Sequence, residues 1–393
     1  MKNLSISGSA SFLKQHVSWL RRGLREARRG DEHGILTFGG VPIPKEAETM
    51  HFLLYGDAKV GKTQAIQENL PRIRAAGFPA VVVDPTGDLM RRHYAPGDHI
   101  LNPFDPRSSR VNIFDFLKEN ALAPRVLSSM LVRNTACAST TGPDRRYVAL
   151  AEDFLTPLLE SIQSGDSLTI AEILQMLRED DVVALQQRGY WAPNGRLGRV
   201  LFAQDKETLL SFVRAILILS LESLIPSFPK DSSTLNLGRW AGKPDGVLWL
   251  TFPKQHRDAL RPLYSAILSI LSYHLLDLEP SDTRRLFFIL AELREFRYTQ
   301  GLDDLLFEGR RYGAVVMAEI RSFSDARCLA MFDAFSTRIR FRSSEPSVMG
   351  DLLTWTQIDT LNLPNQHAYL FLPATSVPER IVFSSPERDS RPV

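Results

Sequence analysis

One segment early in the chain has the residue types and spacing of a phosphate-binding loop. It fits the pattern G-x-x-x-x-G-K-[ST] and reads Gly56-Asp57-Ala58-Lys59-Val60-Gly61-Lys62-Thr63. Glycines permit a loop tight enough to turn backbone N–H groups inward as a nest for phosphate. In this pattern Lys62 reaches the terminal phosphates and the hydroxyl of Thr63 binds Mg²⁺. We therefore predict that residues 56–64, ending at Gln64, bind ATP and Mg²⁺.

The neighbours of this segment decide between a binding loop and a glycine-rich turn of no function. Phe52-Leu53-Leu54-Tyr55 is a short apolar run that predicts a buried strand directly before the loop. A helix is predicted from Gln64 to Ala76, starting near Lys62 and ending at Gly77. Such a helix points the positive end of its dipole at bound phosphate. The order strand, glycine loop, helix favours nucleotide binding.

Other apolar runs predict a parallel α/β core around this unit. Residues 35–44 contain the pair Gly39-Gly40 between two short apolar runs, which predicts a β-hairpin. Further strands are predicted at 80–84, 246–250, 286–290, 314–318 and around 338–341. Helical stretches of about 15–20 residues separate most of them, as in parallel sheets.

A change of pattern in the middle of the chain predicts a second domain. Between about Ala121 and Phe228 helical spacing dominates, as in Leu150, Phe154 and Leu158. We therefore predict an all-helical domain inserted into the α/β core. The predicted boundaries are a nucleotide-binding domain at 31–115 and 232–385, the helical domain at 116–231 and a flexible tail at 386–393.

The N-terminal residues 1–30 are predicted to form a basic amphipathic helix. Apolar residues such as Val17 and Leu20 share one face, and arginines such as Arg21 and Arg25 lie on the other. Such a helix can contact an anionic membrane through residues 10–29, bind a partner, or dock on its own domain.

Composition limits the classes of function. The net charge of +2 excludes nucleic-acid binding by bulk charge but leaves room for a local basic patch. The two cysteines, Cys137 and Cys328, are far apart, which fits unpaired thiols in a reducing cytoplasm. No apolar run reaches the ~20 residues of a membrane helix, and no signal peptide is recognisable. We expect a cytoplasmic protein.

A P-loop NTPase needs a second, acidic site at the end of another strand. There an Asp holds the magnesium shell and a following Glu polarises the attacking water. The best candidate is the run 286–290, which is followed by Ala291 and Glu292. Because a methyl group cannot hold a magnesium-bound water, Ala291 predicts weakened metal binding and hydrolysis, with Glu292 as the remaining catalytic carboxylate. The alternative is a core strand that ends in a surface glutamate.

Several motifs outside the P-loop belong together. They are Gly39-Gly40-Val41-Pro42, Asp84-Pro85-Thr86-Gly87-Asp88, Leu101-Asn102-Pro103-Phe104-Asp105, Arg284-Arg285-Leu286-Phe287-Phe288 and Glu308-Gly309-Arg310-Arg311-Tyr312-Gly313. Together with the P-loop they resemble the type IV secretion coupling proteins, the ring-forming ATPases of bacterial conjugation. The resemblance extends from Gly34 to Phe383, and the Gly-Gly-Val-Pro and Leu-Asn-Pro-Phe-Asp motifs are fairly specific to that family.

The resemblance implies a RecA-like P-loop NTPase core with an inserted all-α domain, assembled as a hexamer around a channel for single-stranded DNA. Nucleotide would lie between subunits, and Arg310 of one subunit would reach the γ-phosphate in the next as an arginine finger. An ordinary surface arginine is the alternative for Arg310. Secretion or relaxosome proteins are the implied partners. Peripheral contact with the inner membrane through residues 10–29 is the alternative to a purely cytoplasmic location.

The chain departs from that family's pattern at several positions. Family members usually carry two membrane helices before the hairpin, where this chain has its basic N-terminal stretch. The acidic strand ends in Ala291 instead of Asp, the sensor Gln is Arg321, and the Trp before Asn112 is Val111. Arg321 either accompanies relaxed selection on hydrolysis or places a positive charge near the phosphates that partly replaces the metal.

Two functions fit these features. The first is a motor that hydrolyses ATP to move or remodel DNA, with Lys62, Thr63, Glu292 and Arg310 carrying the chemistry. The second is a module that binds ATP, assembles, and recruits DNA or a protein partner without effective turnover, as a secretion adaptor or defence component would. We expect nucleotide-dependent handling of single-stranded DNA with weak or absent hydrolysis.

Overall fold

Short runs of Val, Leu, Ile and Phe form the central strands in the computed structural model of the protein. The structure describes residues 33–135, 144–192, 195–202, 207–224, 234–296, 299–322, 330–344, 361–373 and 378–383. The predicted N-terminal helix at 1–30 and tail at 386–393 lie outside these ranges. The described strands are β1 His33–Phe38, β2 Val41–Pro44, β3 Phe52–Tyr55, β4 Ala80–Val83, β5 His99–Leu101, β6 Arg110–Val111, β7 Thr234–Leu235, β8 Val247–Leu250, β9 Leu286–Leu290, β10 Ala314–Ile320, β11 Thr337–Phe341, β12 His367–Phe371 and β13 Glu379–Val382.

Nine of the described strands form one sheet in the order β13-β12-β11-β3-β10-β9-β4-β8-β5. All neighbours from β11 to β5 run parallel, and β12 and β13 add an antiparallel edge. Parallel strands covered on both faces need continuous apolar runs. Accordingly, β3, β4, β8, β9 and β10 are buried at every position. The prediction of an α/β fold with a mostly parallel sheet is confirmed.

Helices cover both faces of this sheet. The described α-helices are Lys45–Glu48, Lys62–Ala75, Asp88–His93, Ala123–Thr135, Asp144–Gln163, Ile170–Glu179, Val182–Gln187, Arg196–Val200, Glu207–Glu222, Leu237–Gly242, Arg257–Leu276, Leu293–Phe296 and Leu302–Phe307. The helix Lys62–Ala75, called the P-loop helix below, packs on one face, and Arg257–Leu276 packs on the other. Within the described ranges, none of these helices combines the length and apolarity needed to cross a membrane.

The chain leaves the sheet after β6 and returns at β7. Between these strands the described residues form helices and no strand. β6 and β7 pair with each other in parallel, so the exit and the return lie side by side. Buried side chains of the helices, such as Phe154 and Leu158, belong to the same apolar core as Leu53 and Val81 of the sheet. The boundaries at 31–115, 116–231 and 232–385 stay predictions.

The predicted hairpin consists of β1 and β2 joined by Gly39-Gly40. Both glycines have positive φ, 58° and 78°, as a two-residue type I′ turn requires. Glu68 of the P-loop helix accepts hydrogen bonds from the N–H groups of Gly39 at 2.9 Å and Gly40 at 3.1 Å, and from the hydroxyl of Thr37 at 2.6 Å. The hairpin therefore supports the helix that begins at the phosphate-binding loop.

Candidate nucleotide-binding site

The loop between β3 and the P-loop helix is bent by residues with positive φ. These are Gly56 at 150°, Lys59 at 62° and Gly61 at 119°. A Cβ at position 56 would lie 2.8 Å from the carbonyl oxygen of Arg342, and one at position 61 would lie 3.2 Å from the Cα of Gln366. Glycine is therefore required at both positions, because the loop passes directly against neighbouring backbone.

Asp57 and Val60 anchor this loop from the outside. The N–H of Asp57 donates to the carbonyl of Arg342 at 2.8 Å. Its carboxylate accepts from the N–H of Ser344 at 2.9 Å and from the hydroxyl of Ser344 at 3.2 Å. Val60 is buried, and its carbonyl accepts from the N–H of Gln366 at 2.8 Å. These hydrogen bonds to Arg342, Ser344 and Gln366 hold the loop in shape.

The ammonium of Lys62 lies inside the curve of the loop. Its Nζ donates to the carbonyl oxygens of Gly56 at 2.7 Å and Asp57 at 2.6 Å. Burial lowers the pKa of Lys62, and the nearby carboxylate of Glu319 opposes that shift. The side chain is thus a buried cation at the start of a helix, which is the combination that binds phosphate.

A pocket of about 510 Å³ opens beside the loop, a size typical of ligand sites. The residues of the predicted loop that line it are Ala58, Lys59, Gly61, Lys62, Thr63 and Gln64, and the predicted catalytic residue Glu292 lines it too. Other lining residues are Asp84, Pro85, Thr86, Asp88, Leu89, Ala291, Glu319, Arg321, Asn365 and Gln366. Gly56, Asp57 and Val60 shape the loop instead. The carboxyl ends of β3, β4, β9 and β10 meet here, the edge at which parallel sheets bind ligands.

Glu319 enters this pocket from β10, and no sequence motif points to it. The residue is 7% exposed. Its side chain shares a hydrogen bond with Thr63, whereas its Oε1 has no hydrogen-bond partner among the described residues. Burial raises the pKa of Glu319 to about 7, although Lys62 and Thr63 act in the opposite direction. The one signal in the sequence is an acidic residue near the end of an otherwise apolar strand.

The predicted acidic strand ends beside the pocket, but its carboxylate is paired. Ala291 contributes a methyl group to the pocket wall, and Glu292 follows it. The guanidinium of Arg321, directly after β10, donates to a carboxylate oxygen of Glu292. Arg321 is 61% exposed, so the pair contributes little to stability. Its effect is to neutralise and orient Glu292.

Arg310 lies at the amino-terminal ends of the strands, whereas the pocket of its own chain lies at their carboxyl ends. It is exposed in the turn Gly309–Tyr312 directly before β10, whereas the pocket lies at the far end of that strand. The strand has 7 residues, which at ~3.3 Å per residue corresponds to about 20 Å. Any role of Arg310 at a phosphate therefore requires a second subunit.

The residues beside the loop fit a nucleotide-bound magnesium ion. No group of three or more His, Cys, Asp or Glu side chains in the described part of the chain forms a metal cage. Magnesium at a nucleotide site does not need a cage, since it binds one or two protein oxygens, water and the phosphates. The hydroxyl of Thr63 and the unpaired Oε1 of Glu319 supply such oxygens at one wall.

A buried parallel strand, a glycine loop and a helix that starts with Lys62 and Thr63 define the fold of a P-loop NTPase. The sequence model of the family described as the type IV secretion-system coupling protein DNA-binding domain matches residues 35–347. The chain belongs to this family, which confirms the resemblance in its motifs.

Individual relatives agree with this assignment. The coupling protein TraD of Escherichia coli (strain K12) is 21% identical over 334 residues, which cover 81% of this chain and 45% of TraD. The chain thus spans less than half the length of that relative. The plasmid coupling protein TrwB in complex with the ATP analogue ADPNP has a TM-score of 0.78 at 22% identity, covering 91% of both chains.

Two further solved structures are similar. TrwB in complex with ADP and Mg²⁺ has a TM-score of 0.77 at 22% identity, covering 91% of this chain and 90% of that one. VirB4 of Thermoanaerobacter pseudethanolicus has a TM-score of 0.58 at 13% identity, covering 92% and 98%. The similarity to TrwB confirms the predicted fold, a RecA-like P-loop NTPase core with a helical domain.

Proposed function

We propose that this chain binds ATP and Mg²⁺ in the pocket beside the loop and handles single-stranded DNA in type IV secretion, with weak or lost hydrolysis. The observation that carries the proposal is the buried ammonium of Lys62 inside a loop bent by Gly56 and Gly61. The description of the family supports the part that concerns DNA. The complexes of TrwB with ADPNP and with ADP and Mg²⁺ support the ligands.

Each side chain of the pocket has a role in this proposal. The N–H groups of the loop and the ammonium of Lys62 bind the phosphates, and the hydroxyl of Thr63 holds the metal. Bound Mg²⁺ supplies positive charge that stabilises the phosphates during transfer. Glu292 orients the attacking water, but its ion pair with Arg321 competes for the same carboxylate. This competition supports slow hydrolysis.

An oligomeric ring is the arrangement that gives Arg310 a function. Arg310 lies about 20 Å of strand away from its own pocket, so it can stabilise a γ-phosphate only in a neighbouring subunit. A hexamer with nucleotide between subunits satisfies this requirement. Secretion or relaxosome proteins are the proposed protein partners of such a ring.

Negative-stain microscopy and DNA binding on the full chain test the proposal together. With Mg-ATP and a labelled single-stranded oligonucleotide, the wild type should form rings and raise the fluorescence anisotropy of the DNA. Lys62→Ala should do neither, because the loop loses its phosphate-binding cation. Lys118→Ala, which alters an exposed lysine that is paired with Asp115 and does not line the pocket, should behave as the wild type. The proposal would be contradicted if rings form and DNA binds equally well without ATP and in Lys62→Ala.

A second candidate is a module that binds ATP without hydrolysis and recruits a protein, as a secretion adaptor or defence component would. Ala291 and the Arg321–Glu292 pair favour it, because both weaken the hydrolytic half of the site. In this case ATP acts as a structural ligand, and at 100 times its Kd it would stabilise the fold by about 2.7 kcal/mol. Such a module would assemble with ATP but would not bind the labelled DNA.

A further inference from the structure

The register of the central strands brings Glu319 to the level of the missing aspartate. Along β10, Ala318 pairs with Leu290 of β9. One residue further, Glu319 therefore lies opposite Ala291. On its other side Glu319 pairs with Leu54 of β3, the strand that leads into the phosphate-binding loop. Glu319 thus occupies the position of the family's aspartate, displaced by one strand toward the loop.

Both positions project to the same face of the sheet. Side chains alternate along a strand, and Val315 and Met317 precede Glu319 in the apolar cluster that contains Ile66 of the P-loop helix. Phe287 and Ile289 lie in the same cluster, and they precede Ala291 by four and two positions, as Val315 and Met317 precede Glu319. The face that carries the methyl group of Ala291 is therefore the face that carries the carboxylate of Glu319.

Distance along the sheet favours the new position. Neighbouring strands lie ~4.8 Å apart, so the backbone of Glu319 is one strand closer to the loop than that of Ala291. The side chain is also one methylene longer than an aspartate. Its hydrogen bond with Thr63 shows that the carboxylate reaches the residue whose hydroxyl is expected to bind the metal.

One carboxylate oxygen of Glu319 lacks a hydrogen-bond donor among the described residues. This oxygen, Oε1, is buried, an arrangement that costs free energy unless a ligand completes it. The charged groups that face it are Lys62, Glu292 and Arg321. Lys62 donates to the loop carbonyls of Gly56 and Asp57, and Arg321 donates to Glu292.

We propose that Glu319 replaces the missing aspartate as the carboxylate that holds the Mg²⁺ of bound ATP, together with the hydroxyl of Thr63. The inference rests on the proposed nucleotide site and adds a metal-binding residue to it. Metal retention and hydrolysis are then separate properties of this chain. The metal carboxylate has moved to β10, while the water-orienting Glu292 stays on the β9 side and is paired with Arg321.

Paramagnetic Mn²⁺ in place of Mg²⁺ tests the inference without a measurement of turnover. Electron paramagnetic resonance of the full chain with ATP reports Mn²⁺ affinity, and calorimetric titration of ATP in EDTA reports affinity without metal. Glu319→Gln should weaken Mn²⁺ binding about 10–100-fold, the usual effect of altering a metal's surroundings. ATP affinity in EDTA should change little. Glu48→Gln, which alters a buried carboxyl group beside the hairpin and outside the pocket, should leave both affinities unchanged.

A rescue variant separates metal binding from a merely structural role. Adding Ala291→Asp to Glu319→Gln should restore Mn²⁺ affinity, since the carboxylate returns to the opposite position on β9. The double variant also decides the question where Glu319→Gln alone fails to fold. Unchanged Mn²⁺ binding in Glu319→Gln, equal loss of ATP affinity in EDTA, or no rescue would overturn the inference. Failure of the wild type to bind ATP at all would instead overturn the proposed nucleotide site.

Discussion

The two walls of the pocket differ in what holds them in shape. The phosphate wall is the loop 56–63. Its bends and its buried lysine belong to one motif, and its anchors are backbone groups of Arg342 and Gln366 together with Ser344. The acidic wall is assembled from the ends of β9 and β10, where Ala291 and Glu292 meet Glu319 and Arg321. The phosphate wall fits the full P-loop pattern. In the acidic wall, the metal carboxylate that we propose comes from β10 instead of from the end of β9.

The two walls differ in which substitutions they tolerate. A Cβ would lie 2.8 Å from the carbonyl oxygen of Arg342 at position 56 and 3.2 Å from the Cα of Gln366 at position 61, so these two positions of the loop do not accept a side chain without strain. The acidic wall needs only a carboxylate at a given level of the sheet, and two adjacent parallel strands can supply it. If Glu319 holds the metal as we propose, loss of the aspartate does not by itself abolish metal binding, whereas the Arg321–Glu292 pair acts on the hydrolytic step.

The largest expected effect concerns hydrolysis in an assembled ring. Arg310→Ala should lower ATP turnover by about 10³-fold, because an arginine finger that reaches the transition state contributes ~10³–10⁵ in rate. Arg311→Ala is the matched control, since Arg311 is the adjacent exposed arginine of the same turn. Single-turnover hydrolysis with single-stranded DNA measures both. Equal rates for the two variants would make Arg310 an ordinary surface residue.

Asp57→Ala tests whether the phosphate wall is held in shape from outside. The variant loses two hydrogen bonds to Ser344, so ATP affinity should fall about 10-fold, which corresponds to ~1.4 kcal/mol. Asp57→Asn keeps an acceptor and should retain most of the affinity. Calorimetric titration of ATP compares them. An Asp57→Ala protein that binds ATP as the wild type does would show that the loop keeps its shape without this anchor.

Arg321→Gln tests the opposite wall. Removing the guanidinium frees the carboxylate of Glu292, so turnover should rise about 5-fold while ATP affinity stays near that of the wild type. The expected rise in turnover is modest because an exposed ion pair contributes only ~0.2–1 kcal/mol. Glu292→Gln in the same background should abolish the gain. A fall in turnover after Arg321→Gln would mean that the arginine itself stabilises the phosphates.

The smallest expected effect is a pH dependence of stability at the acidic wall. Burial raises the pKa of Glu319 to about 7 from the ordinary glutamate value of 4.5, so between these two pH values the folded protein holds a proton that the unfolded chain releases. The stabilising contribution is complete below pH 4.5 and is lost as pH rises through 7. Relative to Glu319→Gln, the wild type should lose on the order of 1 kcal/mol between pH 6 and 8. Urea unfolding at each pH measures the difference, and parallel curves would contradict it.

The sequence predicts those elements whose apolar runs or glycines lie within one short segment. The Gly39-Gly40 turn, β3 with its loop, and the strands β4, β8, β9 and β10 follow from apolar runs and glycine positions. It does not predict β5, which has 3 residues, or β12, which lies between β11 and the edge strand β13. Three residues are too few to show a period. In β12 the buried residues alternate with partly buried His, Tyr and Phe, so the sequence shows no clear alternation of apolar and polar residues.

The acidic wall could not be read from the sequence for a different reason. Glu319 and Ala291 are far apart in the chain, and they become neighbours only through the order and register of β9 and β10. The ion pair between Arg321 and Glu292 also depends on that register. A pattern within one segment therefore identifies the phosphate wall, whereas pairing between segments creates the acidic one.

The central claim is that the phosphate wall binds Mg-ATP while the acidic wall hydrolyses it slowly. Equilibrium binding and single-turnover hydrolysis of radiolabelled Mg-ATP, measured on one preparation with single-stranded DNA, test it most directly. We expect saturable binding that Lys62→Ala removes, with hydrolysis below about 0.1 s⁻¹, roughly 10²-fold under the ~10 s⁻¹ typical of enzymes. Turnover near that typical rate, or an absence of binding to the wild type, would contradict the account.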